Sequence, residues 1–98
     1  MRAITIIEAK EQETKEKRIL LDIRPSEYYQ KYHIPGAVNI PYDEIENGNY
    51  YLPDEYSYLI YCQHGTQSMT VGRILEDEQF QAMPVIGGMT AYYGWVMK

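Results

Sequence analysis

Tyr58-Leu59-Ile60-Tyr61-Cys62 joins an apolar run to a short polar loop, and it decides how the chain is expected to fold. An apolar run bounded by turn residues predicts a buried strand, with Cys62 at its C-terminal end. The loop that follows reads Gln63-His64-Gly65-Thr66-Gln67-Ser68 and leads into an amphipathic helix pattern. Backbone N–H groups and the helix dipole favour a thiolate there, which is the reactive form of cysteine.

Strands and helices are predicted to alternate on both sides of this segment. The predicted strands cover residues 19–23, 37–40, 58–61 and 83–86. Five helices are predicted. The first runs from about 5 to 17, the second from an N-cap at Ser26 through 32, and the third begins at 41. The fourth runs from about 67 to 77, and the fifth follows Gly87-Gly88. Thr5-Ile6-Ile7-Glu8 has the pattern of a capping box. This alternation predicts an α/β domain with a mostly parallel sheet, in which sites form beyond the carboxyl ends of strands.

The size and charge of the chain limit the classes of molecule that it is expected to bind. Its 98 residues suit one domain, expected to span 1–98. The net charge of −5, without a basic run, argues against nucleic acid, whose backbone is bound by clustered lysine and arginine. It also provides no general attraction for anionic substrates. Any anion affinity must therefore come from local backbone amides.

The cysteine content and the hydropathy of the sequence indicate the cellular compartment of the protein. No signal-peptide pattern is visible, and no apolar stretch approaches the roughly 20 residues of a membrane span. The single cysteine excludes an intrachain disulfide, and a free thiol suits a reducing compartment. We therefore expect a cytoplasmic protein without a membrane partner.

A loop of the form Cys-x-x-Gly-x-x-Ser can direct its N–H groups at one point. Gly65 permits a backbone conformation that a Cβ would penalise, and successive amides then form an anion-binding concavity. Thiosulfate could bind there with its outer sulfur against Cys62. Attack by the thiolate would give a Cys62 persulfide and sulfite, and cyanide or a thiol would then accept the sulfur.

Several alternatives to this chemistry are open or disfavoured. A lone cysteine is often a buried small hydrophobe, His64 is equally compatible with an ordinary loop residue, and Ser68 with helix capping. A phosphatase loop would carry Arg at the position of Ser68, whereas Arg73 lies on the order of 10 Å into the helix. A reductase would need a second, resolving thiol. Cys62, His64 and His33 are too scattered for a closed zinc site, and no metal or cofactor is expected.

The eleven tyrosines are the compositional oddity of the chain. Tyrosine can bury its ring while its hydroxyl finds water or a partner, so amphipathic packing is the favoured interpretation. A tyrosine-lined rim near the Cys62 loop is the alternative.

Four motifs in order resemble those of the rhodanese family of single-domain sulfurtransferases. They are Leu21-Asp22-Ile23-Arg24, His33 through Pro41 with its His-Ile-Pro-Gly-Ala start, Tyr61 through Ser68, and Ile86-Gly87-Gly88-Met89. The resemblance covers about residues 4–97. It implies the rhodanese-like fold, with a mostly parallel central sheet flanked by helices on both faces.

The resemblance also implies roles for site residues. Cys62 would be the catalytic, sulfur-carrying nucleophile, and the amides from Gln63 to Ser68 would bind the persulfide. Asp22 and Arg24 would mainly form an ion pair or hydrogen-bonded brace near the loop, with lining of the site mouth as their alternative role. His33 would mainly fix a turn.

Two departures from the family pattern stand out. Many members carry Arg where this chain has Gln67, so its loop has less positive charge. The closing Gly-Gly-aromatic-x-x-Trp pattern has Met89 and Tyr92 in its key places, with Trp95 one turn later, so packing there is expected to differ.

The leading hypothesis is a thiosulfate:cyanide type of sulfurtransferase, with a small anionic sulfur donor and a thiol or cyanide acceptor. The alternative is a sulfur-relay or binding module of the same fold. Such a module would receive persulfide from a protein partner and would have little activity on thiosulfate.

Overall fold

The computed structural model describes residues 1–12 and 17–96, in which strands and helices alternate. The strands are β1 (Arg18–Asp22), β2 (Val38–Asn39), β3 (Ser57–Tyr61) and β4 (Gln81–Pro84). The helices are α1 (Ile6–Gln12), α2 (Ser26–Lys31), α3 (Tyr42–Glu46), α4 (Thr66–Asp77) and α5 (Gly88–Val96). The predicted α/β alternation is confirmed. The first helix was predicted to reach about residue 17; residues 13–16 lie outside the described residues, and Lys17 itself is a turn residue with a φ of +62°.

The four strands form one parallel sheet in the order β2-β1-β3-β4. All five residues of β3 are buried, as expected for an inner strand covered on both faces. Asp22, the last residue of β1, pairs with Tyr61, the last residue of β3. The carboxyl ends of these two strands therefore lie side by side, with Arg24 two residues after one end and Cys62 directly after the other.

Two apolar cores cover the two faces of the sheet, as the predicted fold requires. Alternate residues of a strand point to opposite faces, and β3 divides its side chains accordingly. Leu59 and Tyr61 pack with buried residues of α1 and α5, whereas Tyr58 and Ile60 pack with those of α3 and α4. Cys62 continues the second set, so its side chain belongs to the α4 face. The helix contributions are Ile6, Ala9, Met89 and Tyr92 on one face, and Ile45, Val71 and Leu75 on the other.

The helix starts confirm one capping prediction and correct another. Thr5 and Glu8 form the capping box, with Glu8 N–H to Thr5 Oγ1 and Thr5 N–H to Glu8 Oε1 both at 3.1 Å. Ser26 is not the N-cap of α2. The N-cap is Pro25, because Tyr28 N–H donates the first hydrogen bond of the helix to the Pro25 carbonyl at 3.0 Å. Ser26 is already helical. Pro25 provides no side-chain cap, since its ring has no hydrogen-bonding group.

The bounds of all four strands differ from the predicted ones. β1 and β3 begin one residue earlier than predicted, at Arg18 and Ser57, and β1 ends at Asp22 instead of 23. The last strand begins at Gln81 instead of 83 because Ser57 pairs with Gln81, and it ends at Pro84. Val85 then forms a parallel bridge with Ile4, which extends the sheet by one residue. β2 keeps only Val38 and Asn39 of the predicted 37–40.

The terminal helix uses the residues of the altered motif in different ways. Met89 and Tyr92 are buried in the α1–α5 core, and Trp95 lies beside Tyr92 at the surface with a ring separation of 6.1 Å. Among the helices of the described ranges, none has the length and apolarity that a membrane crossing requires.

Candidate active site

Cys62 lies directly after β3 and is almost fully buried, with 3% of its surface exposed. The N–H of Gly65 donates a hydrogen bond to Cys62 Sγ at 3.0 Å. Gly65 has a φ of +102°, in the left-handed region that favours glycine, and it forms the N-cap of α4. The loop therefore curls back so that a backbone donor faces the sulfur at the positive end of α4.

The first residues of α4 add further donors to this end of the loop. Thr66, Gln67 and Ser68 occupy the first three helical positions, where backbone N–H groups have no partner within the helix. Such groups form a binding site for anions. The persulfide-binding role predicted for Gln63 through Ser68 is compatible with this arrangement.

Ser68 stabilises the loop through its side chain. It is fully buried, and its hydroxyl donates to the carbonyl of Gly65 at 2.9 Å. The capping alternative for Ser68 is wrong, because Gly65 is the N-cap and Ser68 lies inside α4. Its bond holds the loop residue whose N–H contacts the Cys62 sulfur.

The turn before α5 closes over the loop at very short range. A Cβ added to Gly88 would lie 2.2 Å from the carbonyl oxygen of Cys62, and one added to Gly65 would lie 2.9 Å from the nitrogen of Gly87. Both distances are shorter than real Cβ atoms show. Gly88 of the closing motif and Gly65 of the loop are thus required by the approach of two backbone segments.

Helix α5 also donates hydrogen bonds to the loop. Met89 N–H donates to the carbonyl of Cys62 at 2.8 Å, and Thr90 N–H and Oγ1 both donate to the carbonyl of Gln63 at 3.0 Å. The hydroxyl of Thr90 also lies 3.1 Å from Nδ1 of His64. The residues around Cys62 are therefore held from the α5 side mainly by backbone hydrogen bonds, with the Thr90 hydroxyl as the contributing side chain.

On the opposite side, Asp22 and Arg24 form the expected ion pair. Arg24 Nη2 lies 2.9 Å from Asp22 Oδ2, with 5% and 0% of the two side chains exposed. Nη2 also donates to the carbonyl of Tyr32 at 2.6 Å, and Nη1 to Gln63 Oε1 at 3.3 Å. Burial disfavours the charged guanidinium, but the hydrogen bonds and charge of Asp22 outweigh it and raise the pKa of Arg24. Arg24 thus links β1, the end of α2 and the loop.

Tyr61 supports this brace, although none of the sequence arguments assigned it a role beyond its motif. Its ring lies 5.8 Å from the guanidinium carbon of Arg24, and its hydroxyl accepts the N–H of Ile34 at 3.1 Å. Burial raises the pKa of Tyr61 well above its ordinary value, and its hydrogen bond with Asp22 adds to the shift.

His33 lies at the start of the turn after α2, where its contacts are with Tyr29. Its Nδ1 is 2.8 Å from the carbonyl of Tyr29, and the two rings stack with a centroid separation of 3.8 Å. The hydroxyl of Tyr29 donates to the carbonyl of Ala37 at 2.6 Å, which closes the turn. These contacts agree with a turn-fixing role.

An open cleft of about 280 Å³ lies between α2 and the loop. Its lining consists of Arg24, Pro25, Tyr28, Gln63, His64 and Gln67. A second open cleft, of about 510 Å³, lies on the other side of His64 and reaches along α4 past Thr66 to Arg73. His64 is exposed and borders both clefts, and Gln67 borders the first. Tyr28 lines the first cleft beside the loop, which agrees with the alternative of a tyrosine-lined rim. Thr90 is an addition to the predicted site, and only its position next to the closing motif hinted at it.

The described residues contain no group of three histidine, cysteine or acidic side chains that could hold a metal ion. His33 and His64 instead have the contacts given above, with Tyr29 and Thr90. In this part of the chain, Cys62 is the side chain suited to nucleophilic chemistry.

Comparison with known proteins gives a consistent result. Residues 5–94 match the family described as Rhodanese-like domain. The Bacillus subtilis protein "Putative sulfurtransferase YtwF" is 33% identical over 82 residues, which cover 84% of this chain and 80% of that protein. "Putative sulfur carrier protein YrkF" of the same organism is 34% identical over 76 residues. That match covers 76% of this chain but only 41% of YrkF.

A solved structure agrees with these relatives. The rhodanese-like domain protein from Staphylococcus aureus is 32% identical and superposes with a TM-score of 0.83. The match covers 94% of this chain and 91% of that one.

Proposed function

The chain belongs to the rhodanese-like domain family of sulfurtransferases and sulfur carriers, and we propose that it transfers sulfane sulfur through a persulfide on Cys62. The observation that carries the proposal is the hydrogen bond from Gly65 N–H to Cys62 Sγ. This bond lies at the N-terminal end of α4, where backbone N–H groups can donate to the negatively charged outer sulfur of a persulfide.

The reaction we propose begins with thiosulfate as the simplest donor. The Cys62 thiolate attacks the outer sulfur, the sulfur–sulfur bond of thiosulfate breaks, and sulfite leaves with the electron pair. The terminal sulfur of the new persulfide carries the negative charge, and the free N–H groups of the loop and of the first turn of α4 would bind it. Cyanide or a thiol then accepts this sulfur and restores the thiolate, which gives ping-pong kinetics without a cofactor.

A sulfur relay between proteins is the second candidate. Gln67 leaves the loop without a lysine or arginine side chain, and the net charge of −5 offers an inorganic dianion no general attraction. One relative is named a sulfur carrier, and that protein extends well beyond the matched region. In this role Cys62 would accept persulfide sulfur from a partner protein. In either role we place residues 1–98 in one domain, working in the cytoplasm.

The test of the proposal is persulfide formation on the only cysteine of the chain. Intact-protein mass spectrometry after incubation with thiosulfate is expected to show the gain of one sulfur atom, located on Cys62 by peptide mapping. Cyanide should remove it and yield thiocyanate. Cys62→Ser is the matched control, because it replaces one sulfur by oxygen at a buried position and should take up none.

The two candidates predict different results. Rapid loading from thiosulfate followed by release to cyanide supports the enzyme. Loading only from a persulfide-carrying protein supports the relay. A folded protein that gains no sulfur on Cys62 from either source contradicts both.

A further inference from the structure

The second cleft, beside His64, is bounded on one side by the solvent-exposed face of α4. Four lining residues recur there at the spacing of one helix face, namely Thr66, Met69, Thr70 and Arg73. All four are exposed. The core uses the opposite face of the helix, with Ser68, Val71, Gly72 and Leu75. The fold therefore does not bury the face of α4 that lines this cleft.

Apolar side chains border the cleft on both sides. Met69 of α4 is 37% exposed, and Ile86, in the turn before α5, is 56% exposed. Methionine adapts to partners of different shape, because its side chain is unbranched and flexible. An apolar segment of another chain that lay in the cleft would remove both side chains from water.

The lining of the cleft carries positive charge and no negative charge. The chain contains 14 aspartate and glutamate residues, yet none of the eight cleft residues is acidic. Arg73 is permanently charged, and no carboxylate within residues 1–12 and 17–96 pairs with it. Glu76 and Asp77, which follow one turn later on α4, do not line the cleft. On a protein of net charge −5, this groove is complementary to an acidic group.

The cleft connects the charge of Arg73 to the reacting sulfur. Gly65 lines its near end, and the N–H of Gly65 donates to Cys62 Sγ. Arg73 lines its far end, one helix face and about 10 Å along α4 from Thr66. An extended peptide covers about 3.3 Å per residue, so about three residues span this distance.

We propose that the second cleft is a docking groove for an extended segment of a partner protein, which carries a cysteine and, about three residues from it, an acidic side chain. The acidic side chain pairs with Arg73, and the residues between it and the cysteine lie against Met69 and Ile86. The partner's cysteine then reaches the Cys62 loop. This inference rests on the proposed function, because the partner receives the sulfur of the Cys62 persulfide.

The transfer step is balanced for a cysteine acceptor. The partner's thiol loses its proton to water, and the thiolate attacks the outer sulfur of the Cys62 persulfide. A sulfur–sulfur bond forms on the partner, the bond within the Cys62 persulfide breaks, and the Cys62 thiolate leaves with the electron pair. No oxidant or reductant is needed.

The test measures sulfur transfer from Cys62, loaded with thiosulfate or inorganic polysulfide and then desalted, to the peptides acetyl-Cys-Leu-Leu-Glu-amide and acetyl-Cys-Leu-Leu-Gln-amide. The reversed sequences, with cysteine last, cover the other chain direction. Mass spectrometry of quenched samples gives the second-order rate constant for each peptide. In at least one direction we expect the glutamate peptide to react about two- to fivefold faster than the glutamine peptide, relative to the same ratio in Arg73→Gln, which is the range for one exposed ion pair. Differences in thiol acidity between the peptides cancel in this comparison.

Two further variants sharpen the result. Arg73→Glu should lower the ratio below that of Arg73→Gln, because it repels the acidic peptide. Lys31→Gln is the matched control, since it removes the same charge from an exposed position of α2 that does not line the cleft. It should keep the ratio of the unaltered protein.

A ratio that is the same in the unaltered protein and in Arg73→Gln, in both chain directions, would overturn the inference. So would a ratio that Lys31→Gln lowers as much as Arg73→Gln, because net charge would then explain it. Both results leave the proposed function intact if Cys62 gains sulfur and releases it to cyanide. Failure of both donors to load Cys62 would instead overturn the proposed function, and the docking groove with it.

Discussion

The two sides of the Cys62 loop are held by different means. On the α5 side the contacts run mainly from backbone to backbone, with Met89 N–H on the Cys62 carbonyl and Gly88 too close for any side chain. The hydroxyl of Thr90 adds the side-chain contacts of this side. On the α2 side they run through side chains, with the Arg24 guanidinium joining Asp22 to Gln63.

The two sides therefore have different effects on the loop: one fixes its position, and the other allows its side-chain contacts to change. The α5 side fixes where the strand end lies, because a backbone approach cannot accommodate an added atom without displacement. The α2 side depends on long side chains, and its bond to Gln63 is the longest of the Arg24 contacts at 3.3 Å. The cleft lies on this second side, where a ligand can replace a side-chain contact without moving the backbone.

Gly88→Ala should have the largest effect, because it breaks the α5 side. The new Cβ would lie 2.2 Å from the Cys62 carbonyl oxygen, and the φ of +55° is itself strained for alanine. We expect a loss of about 4 kcal/mol or more in the free energy of unfolding, measured by denaturant titration.

Gly94→Ala is the control for that substitution. Gly94 lies in the same helix with open space around its Cβ position and no positive φ. It should stabilise the protein by about 0.5–1 kcal/mol. Similar losses in the two variants would contradict the steric account of the α5 side.

Asp22→Asn tests the α2 side and should rank second. It leaves the Arg24 guanidinium buried without a negative partner, at an expected cost of about 3 kcal/mol in the free energy of unfolding. The matched control is Arg2→Ala, which breaks an exposed ion pair with Glu8 at the same 2.9 Å separation. It should cost no more than about 1 kcal/mol. Equal costs would show that burial does not set the strength of the brace.

The same contrast explains what could be predicted from the sequence. The buried strand, the helix after Gly65 and the Gly-Gly turn depend on local patterns of apolar residues and glycines, and all three were predictable. The bond from Arg24 to Gln63 joins residues 39 apart in the chain. The ion pair was expected only through its motif, and its bonds to Tyr32 and Gln63 depend on the packing of α2.

Other details depended on competition between neighbouring groups. Ser26 is a better capping residue than Pro25 by type, yet the chain enters α2 at Pro25, whose carbonyl accepts the first helical N–H. Tyr28 and Tyr61 are two of eleven tyrosines. No local sequence pattern shows that Tyr28 lines a cleft or that Tyr61 supports the Asp22–Arg24 ion pair. Their roles follow from which strand ends and helices meet, which a single sequence does not specify.

Tyr61→Phe tests the tyrosine that packs against Arg24 on the α2 side, and its effect on stability should be smaller than that of Asp22→Asn. It removes the hydroxyl that accepts the N–H of Ile34, and the unpaired buried N–H should cost about 1–2 kcal/mol at neutral pH. Denaturant titration of both proteins measures the difference.

The pH dependence of that difference provides the control. Because burial raises the pKa of Tyr61 above 10.0, the hydroxyl's contribution is complete below pH 10 and is lost as the pH rises above it. The stability gap between the two proteins should therefore shrink above pH 10. A constant gap up to pH 11 would contradict the raised pKa.

Ser68→Ala should have the smallest effect on stability, because it alters the loop itself and neither of its two sides. The Gly65 carbonyl loses its hydroxyl donor, at a cost of about 1 kcal/mol. Sulfur uptake should fall more clearly, because the N–H of Gly65 donates to Cys62 Sγ from the same residue. Thr70→Ala, an exposed hydroxyl on α4, is the control for both measurements. If Ser68→Ala loads Cys62 as fast as Thr70→Ala does, the two sides alone hold the loop in its reactive shape, and the hydroxyl bond is dispensable.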